Sequence, residues 1–443
     1  MKRLFFTVCL LAAGLFGARA QMTLTLDEAL RIALSENPTI RVADLEVERY
    51  DYVKRQTWGN LLPQLSLDGT YTRSIVKQEM AKGLSFGADN TLTATGTISL
   101  PLFAPTIYRT LKMNRRQAEA AVEAARASRI DLAAEVKKAF YNILLAEQSL
   151  EVLRESQATV QRTVDDTRVQ YENGLASEYD LLTAEVQLSN LNPTILQTEN
   201  SIALAKLMLK MYLSVPEEVE IEVSGRLDDL RDRVLAGGES FSTDLSDNSQ
   251  LRSLDIQAEV LAMQLKTVNA GRMPTVAAFG NATITGNDMS RLSFGDMMGG
   301  TAGTAPASSS FWWQHPISAG IQVSIPIFSG LTKSSQARSI RNQIRQLDLQ
   351  REYAREGVRV ELEAAINNLM TARETMFAQE RTVAQADKAY SISDTRYRAG
   401  AGTILELNSA QLAMTQAHLS FSQAIYDYLA AQAEYDRIVG RTE

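Results

Sequence analysis

The sequence states one short phrase twice. "YENGLASEYDLLTAE" runs from Tyr171 to Glu185, and "YRAGAGTILELNSAQ" runs from Tyr397 to Gln411. Each has a Tyr, a Gly three residues on, and a carboxylate six residues after that, Asp180 or Glu406. The match extends outward at the same spacing of 226. Glu135 meets Glu361, Ala139 meets Ala365, Asn142 meets Asn368, Ala146 meets Ala372 and Ala184 meets Ala410. At a spacing of 225, "SLPLF" (Ser99 to Phe103) meets "SIPIF" (Ser324 to Phe328). Further upstream the spacing is 211, where "LSENPTI" from Leu34 meets "LSDNSQL" from Leu245, and "LLPQL" from Leu61 meets "RMPTV" from Arg272. The second copy therefore carries about fourteen extra residues, which fall in the Gly/Ser/Ala-rich stretch Asp288 to Pro316. A duplicated chain of this kind must build its fold from two similar units.

Each unit has the same plan. The first copy, 21–230, reads as a helix pair, strands at about 63–74 and 90–101, a long helix at about 105–173, a helix at about 176–213 and the start of a connecting belt. The second, 231–443, reads as a helix at about 243–271, strands at about 274–286 and 317–327, a long helix at about 331–399 and a helix at about 403–438. Thr25-x-x-Glu28 has the form of a capping box. The long segments lack proline over nearly seventy residues, which at 1.5 Å per residue is a helix of about 100 Å. Ala337, Ile344, Val358, Ala365 and Ala372 share one seven-residue register, and Ile340, Leu347 and Ala354 share its companion, so coiled-coil packing is expected. Arg351 interrupts the first series, and Pro193 is expected to kink its helix.

Four segments alternate with period two instead. "TLTATGTISLPLF" sets Leu92, Ala94, Gly96, Ile98 and Leu100 against Thr91, Thr93, Thr95, Thr97 and Ser99. "SLDGTYTRS" and "ISAGIQVSIPIF" alternate in the same way, and "TVAAFGNATIT" less cleanly. Such a pattern fits a soluble sheet with one solvated face or a transmembrane β-barrel. Trp312 and Trp313, beside the fourth segment, suit an aromatic girdle at a membrane interface.

The start of the chain favours the membrane. "MKRLFFTVCLLAAGLFGARAQ" has Lys2 and Arg3, an apolar run, and Ala18-Arg19-Ala20 as a small-x-small site, so 1–20 reads as a signal peptide cut after Ala20. Cutting removes Cys9, the one cysteine, and excludes disulfides and thiolate metal sites. It also removes Lys2, Arg3 and Arg19, taking the formal charge from −7 to −10 and arguing against nucleic acid as a partner. No later stretch is apolar for long enough to be a transmembrane helix. With two isolated histidines, His315 and His418, no phosphate loop and no nucleophile elbow, an enzyme is not expected and no cofactor or metal is implied.

Lipid cannot satisfy backbone N–H and C=O groups, so a sheet inside a bilayer must close. Four strands cannot close alone. Two chains give eight strands and a filled interior, whereas three give twelve and room for a lumen. An envelope coiled-coil scaffold would account for the helices but leave the alternating segments unused.

The two-strand, long-helix, Gly-turn, helix unit, repeated behind a signal peptide, closely resembles the TolC-like outer-membrane efflux proteins. "DEALRIALSENPTI", "LLPQLSL", "SLPLF", "SIPIF" and the two Tyr-x-x-Gly turns carry the resemblance across essentially the whole mature chain. It implies a homotrimer with a twelve-stranded barrel in outer-membrane lipid, continuous with a periplasmic helical tunnel. It further implies a passive channel for drugs or proteins, joined through a periplasmic adaptor (membrane fusion protein) to an inner-membrane pump of RND or ABC type. The turns at Tyr171, Gly174, Gly400 and Gly402 would form the periplasmic tip where the adaptor docks. Tyr397, Glu406, Ser409 and Asp180 would lie at the gate. Where the family has an Arg and a second carboxylate, this chain has Gly402 and Ser409, so only Glu406 would supply a carboxylate ring, with Arg396 or Arg398 as alternative latches. Glu406 read alone is a solvated helix-surface charge, and its pore-facing role comes from the resemblance. The stretch Val215 to Leu230 would be the belt between the copies.

Overall fold

The computed structural model describes residues 22–76, 78–81, 84–86, 88–236, 241–288 and 311–441. The expected leader, with Ala18 and Ala20, lies outside the described residues, as does most of the inserted loop. In chain order the elements are β1 (Met22–Leu24), α1 (Leu26–Glu36), α2 (Pro38–Gly59), β2 (Gln64–Arg73), β3 (Gln78–Ala81), β4 (Leu84–Phe86), β5 (Asn90–Phe103) and α3 (Pro105–Glu172). They continue with α4 (Glu178–Leu213), β6 (Ile221–Val223), α5 (Leu227–Ala236), α6 (Ser249–Ala270), β7 (Thr275–Asp288), β8 (Phe311–Gln314), β9 (Ile317–Ser324), α7 (Thr332–Arg398) and α8 (Ile404–Val439). The fold is mainly α, with two helices of 68 and 67 residues and a duplicated plan. α4 carries Pro193 in its interior without ending there.

Contacts divide the chain into two compact units that cut across the repeats. One comprises 1–46, 121–254 and 350–443; the other comprises 47–120 and 255–349. The first unit is helical. Its core gathers Phe140, Ile143, Leu209, Leu213, Leu227, Leu362, Ile425, Leu429 and Tyr435, all nearly or fully removed from water. Each such side chain contributes about 1.5–3 kcal/mol on burial. The seven-residue pattern of α7 is visible here as burial of Val358 and Ala365. β1 and β6 pair in parallel, Thr23 opposite Glu222, which joins the strand before α1 to the segment between α4 and α5.

The duplication is physical as well as textual. Asn37 caps α2 by accepting from the Thr39 N–H at 2.8 Å and donates Nδ2 to the Tyr212 carbonyl at 2.7 Å. Asn248, its counterpart, accepts from the Leu251 N–H at 3.0 Å and donates Nδ2 to the Ile438 carbonyl at 2.9 Å. Both asparagines are buried, so each copy pins its second helix to the end of its own return helix.

The second unit is built on a five-stranded antiparallel sheet, with β3 and β4 paired as a separate two-stranded one. β2 pairs with β5, β5 with β7, and both β8 and β9 lie along the far edge of β7. β8 and β9 act as one strand interrupted at His315–Pro316, because Pro316 has no N–H to donate; its carbonyl accepts instead from the Thr283 N–H at 3.0 Å. The strand expected over 317–327 therefore begins earlier, at Phe311, and its regular part ends at Ser324.

The register sorts the side chains onto two faces. Tyr71 lies opposite Leu92, Leu92 opposite Gly286, and Gly286 opposite Trp313. That face also carries Leu65, Leu67, Ile98, Ile284, Ile317, Ile321 and Val323, and most of these are strongly exposed. The other face is hydroxyl- and amide-rich: Thr95 and Thr283 bond at 3.3 Å, and Thr91 donates to Asn287 at 3.1 Å. β7 alternates less cleanly because two of its apolar-face positions are glycines and because Ala277 and Phe279 stand on the other face. A Cβ at Gly280 would lie 3.1 Å from Ile98, and one at Gly286 would lie 2.9 Å from the Trp313 ring. Successive strand residues point to opposite faces. Of the Trp pair, only Trp313, ring-stacked with Phe311 at 6.0 Å, shares the apolar face, while Trp312 lies opposite Asn287.

Candidate functional site: the hairpin ends

Both repeated phrases turn one long helix into its return helix, and they do so by the same chemistry. At the end of α3, the Gly174 N–H donates to the Tyr171 carbonyl at 2.9 Å and the Leu175 N–H to the Gln170 carbonyl at 2.8 Å. At the end of α7, the Gly400 N–H donates to the Tyr397 carbonyl at 2.9 Å and the Ala401 N–H to the Arg396 carbonyl at 2.9 Å. This pair of bonds is the Schellman closure, which requires a left-handed residue; Gly174 and Gly400 have φ of 73° and 69°.

The carboxylates restart the helix. Ser177 caps α4, donating its N–H to Asp180 Oδ2 at 3.1 Å while its Oγ accepts from the Asp180 N–H at 3.2 Å. Thr403 caps α8, donating its N–H to Glu406 Oε2 at 3.4 Å and accepting from the Glu406 N–H at 3.2 Å. Both are capping boxes, and a carboxylate in the first turn also favours the positive end of the helix dipole. The Tyr, Gly and acid recur together because each hairpin needs one helix stop and one helix start. The S-x-x-D and T-x-x-E signals sit in the sequence as plainly as Thr25-x-x-Glu28.

Tyr397 is half-buried. Its hydroxyl bonds the fully buried Thr167 Oγ1 of α3 at 2.9 Å, linking the two hairpins. It packs on a cluster of Val160, Val164, Ala184, Ile404 and Leu407. Nearby, burial, reinforced by Asp394, pushes the Tyr390 hydroxyl up from its usual pKa, so it stays neutral. Further along, Ser156 and Thr415 bond at 2.9 Å between α3 and α8. Tyr397→Phe is expected to leave the helices folded and to loosen the second hairpin from the first. Limited proteolysis in the Tyr397–Glu406 turn should accelerate several-fold, and an unchanged rate would count against this link.

The other residues expected at the gate, and Tyr171 of the expected tip, lie at the surface of the chain. Glu406 and Ser409 are exposed, Asp180 is half-exposed, and Tyr171 is 42% exposed. Arg396 lies 3.9 Å from Glu406 and donates to the Ala401 carbonyl at 3.2 Å. Arg398 pairs with Asp394 at 3.0 Å on its own helix. Both arginines are thus engaged within their hairpin. A Cβ at Gly402 would lie 3.1 Å from the Tyr397 backbone N, a tight contact in this turn. Ser409 lines an open groove of about 480 Å³ between α4 and α8, together with Tyr179, Leu182, Val186, Leu405 and Leu412; Glu406 does not. Among the described residues no cluster of His, Cys, Asp or Glu is placed to hold a metal. Among those residues, too, no helix is long and apolar enough to cross a membrane.

Comparison with known proteins agrees with this geometry. The family model described as outer membrane efflux protein matches residues 29–214 and 242–441, one span in each repeat. The outer membrane protein TolC of Escherichia coli (strain K12) is 22% identical over 99% of this chain and 87% of its own length. The alkaline protease secretion protein AprF of Pseudomonas aeruginosa is 22% identical over 92% of this chain and 82% of its own. The solved structure of the outer membrane protein VceC from Vibrio cholerae is similar with a TM-score of 0.71 at 16% identity, covering 94% of this chain and 97% of that one. The fold is that of the outer-membrane tunnel proteins, and the chain belongs to the outer membrane efflux protein family: an outer-membrane channel protein of efflux or secretion, not an enzyme.

Proposed function

We propose that three copies of the chain close a twelve-stranded barrel in the outer membrane, continuous with a periplasmic helical tunnel, and that this assembly passively exports drugs and other small toxic compounds. The observation that carries this reading is the sheet. It has one apolar, exposed face, and among the described residues β2 and β9 each have a strand on one side only. An edge left open in lipid costs several kcal/mol per unsatisfied group, so the two edges must meet in a ring of copies. Each repeat, 21–230 and 231–443, is then one of six similar staves. The Schellman turns at Gly174 and Gly400 form the end that a periplasmic adaptor grips, and an inner-membrane RND or ABC pump supplies energy and chooses the substrate. Trp313 serves as the membrane-interface residue. The similarity to AprF favours a second reading in which the cargo is a secreted protein.

Glu406 gives a test of the pore. Glu406→Gln keeps a capping-box residue while removing the charge. Three carboxylates converging on a pore attract cations, so this variant should fold normally and show reduced cation preference in planar-bilayer recordings. Unchanged selectivity would remove Glu406 from the pore and leave it as a cap alone. Crosslinking in cells followed by co-purification should recover an adaptor and a pump. Recovery of a secreted protein with them would favour the second reading.

A further inference from the structure

The structure contains a template for a junction it does not itself hold. Within the chain the two repeats meet at β5 against β7, the second strand of the first copy against the first strand of the second. In a ring of repeats, the following junction is β9 against β2 of the neighbouring copy. The duplication says which residues correspond: the spacing of 225 carries Ser99 to Ser324, and the spacing of 211 carries Asp68 to Phe279. Ser99 pairs with Phe279 in the sheet. Resting on the ring reading above, we propose that β9 of one chain pairs antiparallel with β2 of the next in a single register, Ser324 opposite Asp68. It follows that Val323 lies opposite Gly69, Gln322 opposite Thr70, Ile321 opposite Tyr71 and Gly320 opposite Thr72 of the neighbouring copy.

The face pattern agrees, although the repeat spacings take no account of it. Ile321 and Val323 belong to the apolar face, and so do Tyr71 and Gly69; Gln322 and Ser324 belong to the polar face with Thr70 and Asp68. A slip of one residue would set Ile321 against a threonine and reverse the whole edge. A slip of two would keep the faces, so the repeat is what selects among the allowed registers. The side chains that would meet are among the most exposed apolar groups of the sheet: Ile321 at 68% and Tyr71 at 63%. A second copy of this chain is therefore the partner whose edge matches in both hydrogen bonding and polarity.

The chain's sole cysteine, Cys9, falls in the expected leader, so engineered cysteines report cleanly. Gln322→Cys would be combined in turn with Asp68→Cys, Thr70→Cys and Thr72→Cys. Directly opposite residues have Cα atoms about 4.5–5.5 Å apart, within disulfide reach, whereas diagonal ones on the same face are about 7–8 Å apart. Thr95→Cys with Thr283→Cys, an in-chain pair, checks that the sheet has formed. Mild oxidation of the membrane-embedded protein should give a reducible covalent trimer with Thr70→Cys, at least five-fold more than with either neighbour. Strongest crosslinking at Asp68→Cys or Thr72→Cys would overturn the register while leaving the ring intact. An in-chain crosslink with no interchain crosslink in any pair, and a monomeric mass in detergent, would overturn both the register and the ring.

Discussion

Ile321→Lys is expected to keep the protein from assembling in the outer membrane, whereas Gln322→Lys, one residue on, leaves assembly close to normal. The two positions are neighbours in β9 and are both exposed, so neither substitution disturbs a core within the chain. They differ in face. Ile321 lies opposite Ala278 on the side shared with Leu67, Tyr71 and Trp313, and Gln322 lies opposite Ala277 on the side of the threonine ladder. A lysine on the lipid side of a barrel costs about 2–4 kcal/mol at the bilayer midplane, and a ring of three copies bears that cost three times. A lysine on the lumen side stays in water. Outer-membrane fractions would be compared for folded, heat-modifiable oligomer. Equal amounts from both variants would mean that the apolar face does not meet lipid.

Gly440→Ala should lower the stability of the helical unit by about 2–5 kcal/mol. Gly440 ends α8 with φ of 88°, a conformation that costs a side-chain-bearing residue about 1–2 kcal/mol. The added Cβ would also press into the Asp247 backbone, 2.9 Å from its carbonyl carbon, and such overpacking costs about 1–3 kcal/mol more. The surroundings have little room to yield. The Asp247 carbonyl also accepts from Arg126, whose guanidinium holds the buried Glu123 at 2.9 Å together with Arg252. The repeat supplies the control. Ser214 stands at the same place in the first copy, ends α4 with φ of 56°, and is left-handed without being glycine. Ser214→Ala should therefore cost less than about 1 kcal/mol. Urea unfolding followed by helical signal would measure both; equal effects would show that the Asp247 contact does not matter.

The sequence discloses the periodic parts of this molecule well. The long helices follow from two proline-free runs, and the strands from threonines set against apolar residues at every second position. The long helices run over Pro105–Glu172 and Thr332–Arg398, and Pro316 splits the last strand. What is hidden is whatever depends on pairing. β7 looks irregular alone because Gly280 and Gly286 leave room for Ile98 and Trp313 from the strands beside it, while Ala277 and Phe279 stand on the threonine face. Trp312 and Trp313 read as one girdle, yet a strand must send them to opposite faces. The small β1–β6 sheet passes unnoticed because three residues of strand give no period to detect. At the hairpin ends, Asp180 and Glu406 are noticed for their charge, while their hydrogen bonds to Ser177 and Thr403 show a helix-capping task that a solitary carboxylate does not announce. Thr167 carries no sequence signal at all; only the approach of Tyr397 from the other repeat gives it a role.

The most direct measurement is the mass and conductance of the detergent-extracted protein. A particle of three chains that opens water-filled pores in a planar bilayer is the predicted result. A stably folded single chain that stays in solution without detergent and conducts nothing would contradict it, because it would mean that the free edges of β2 and β9 are satisfied without a neighbour.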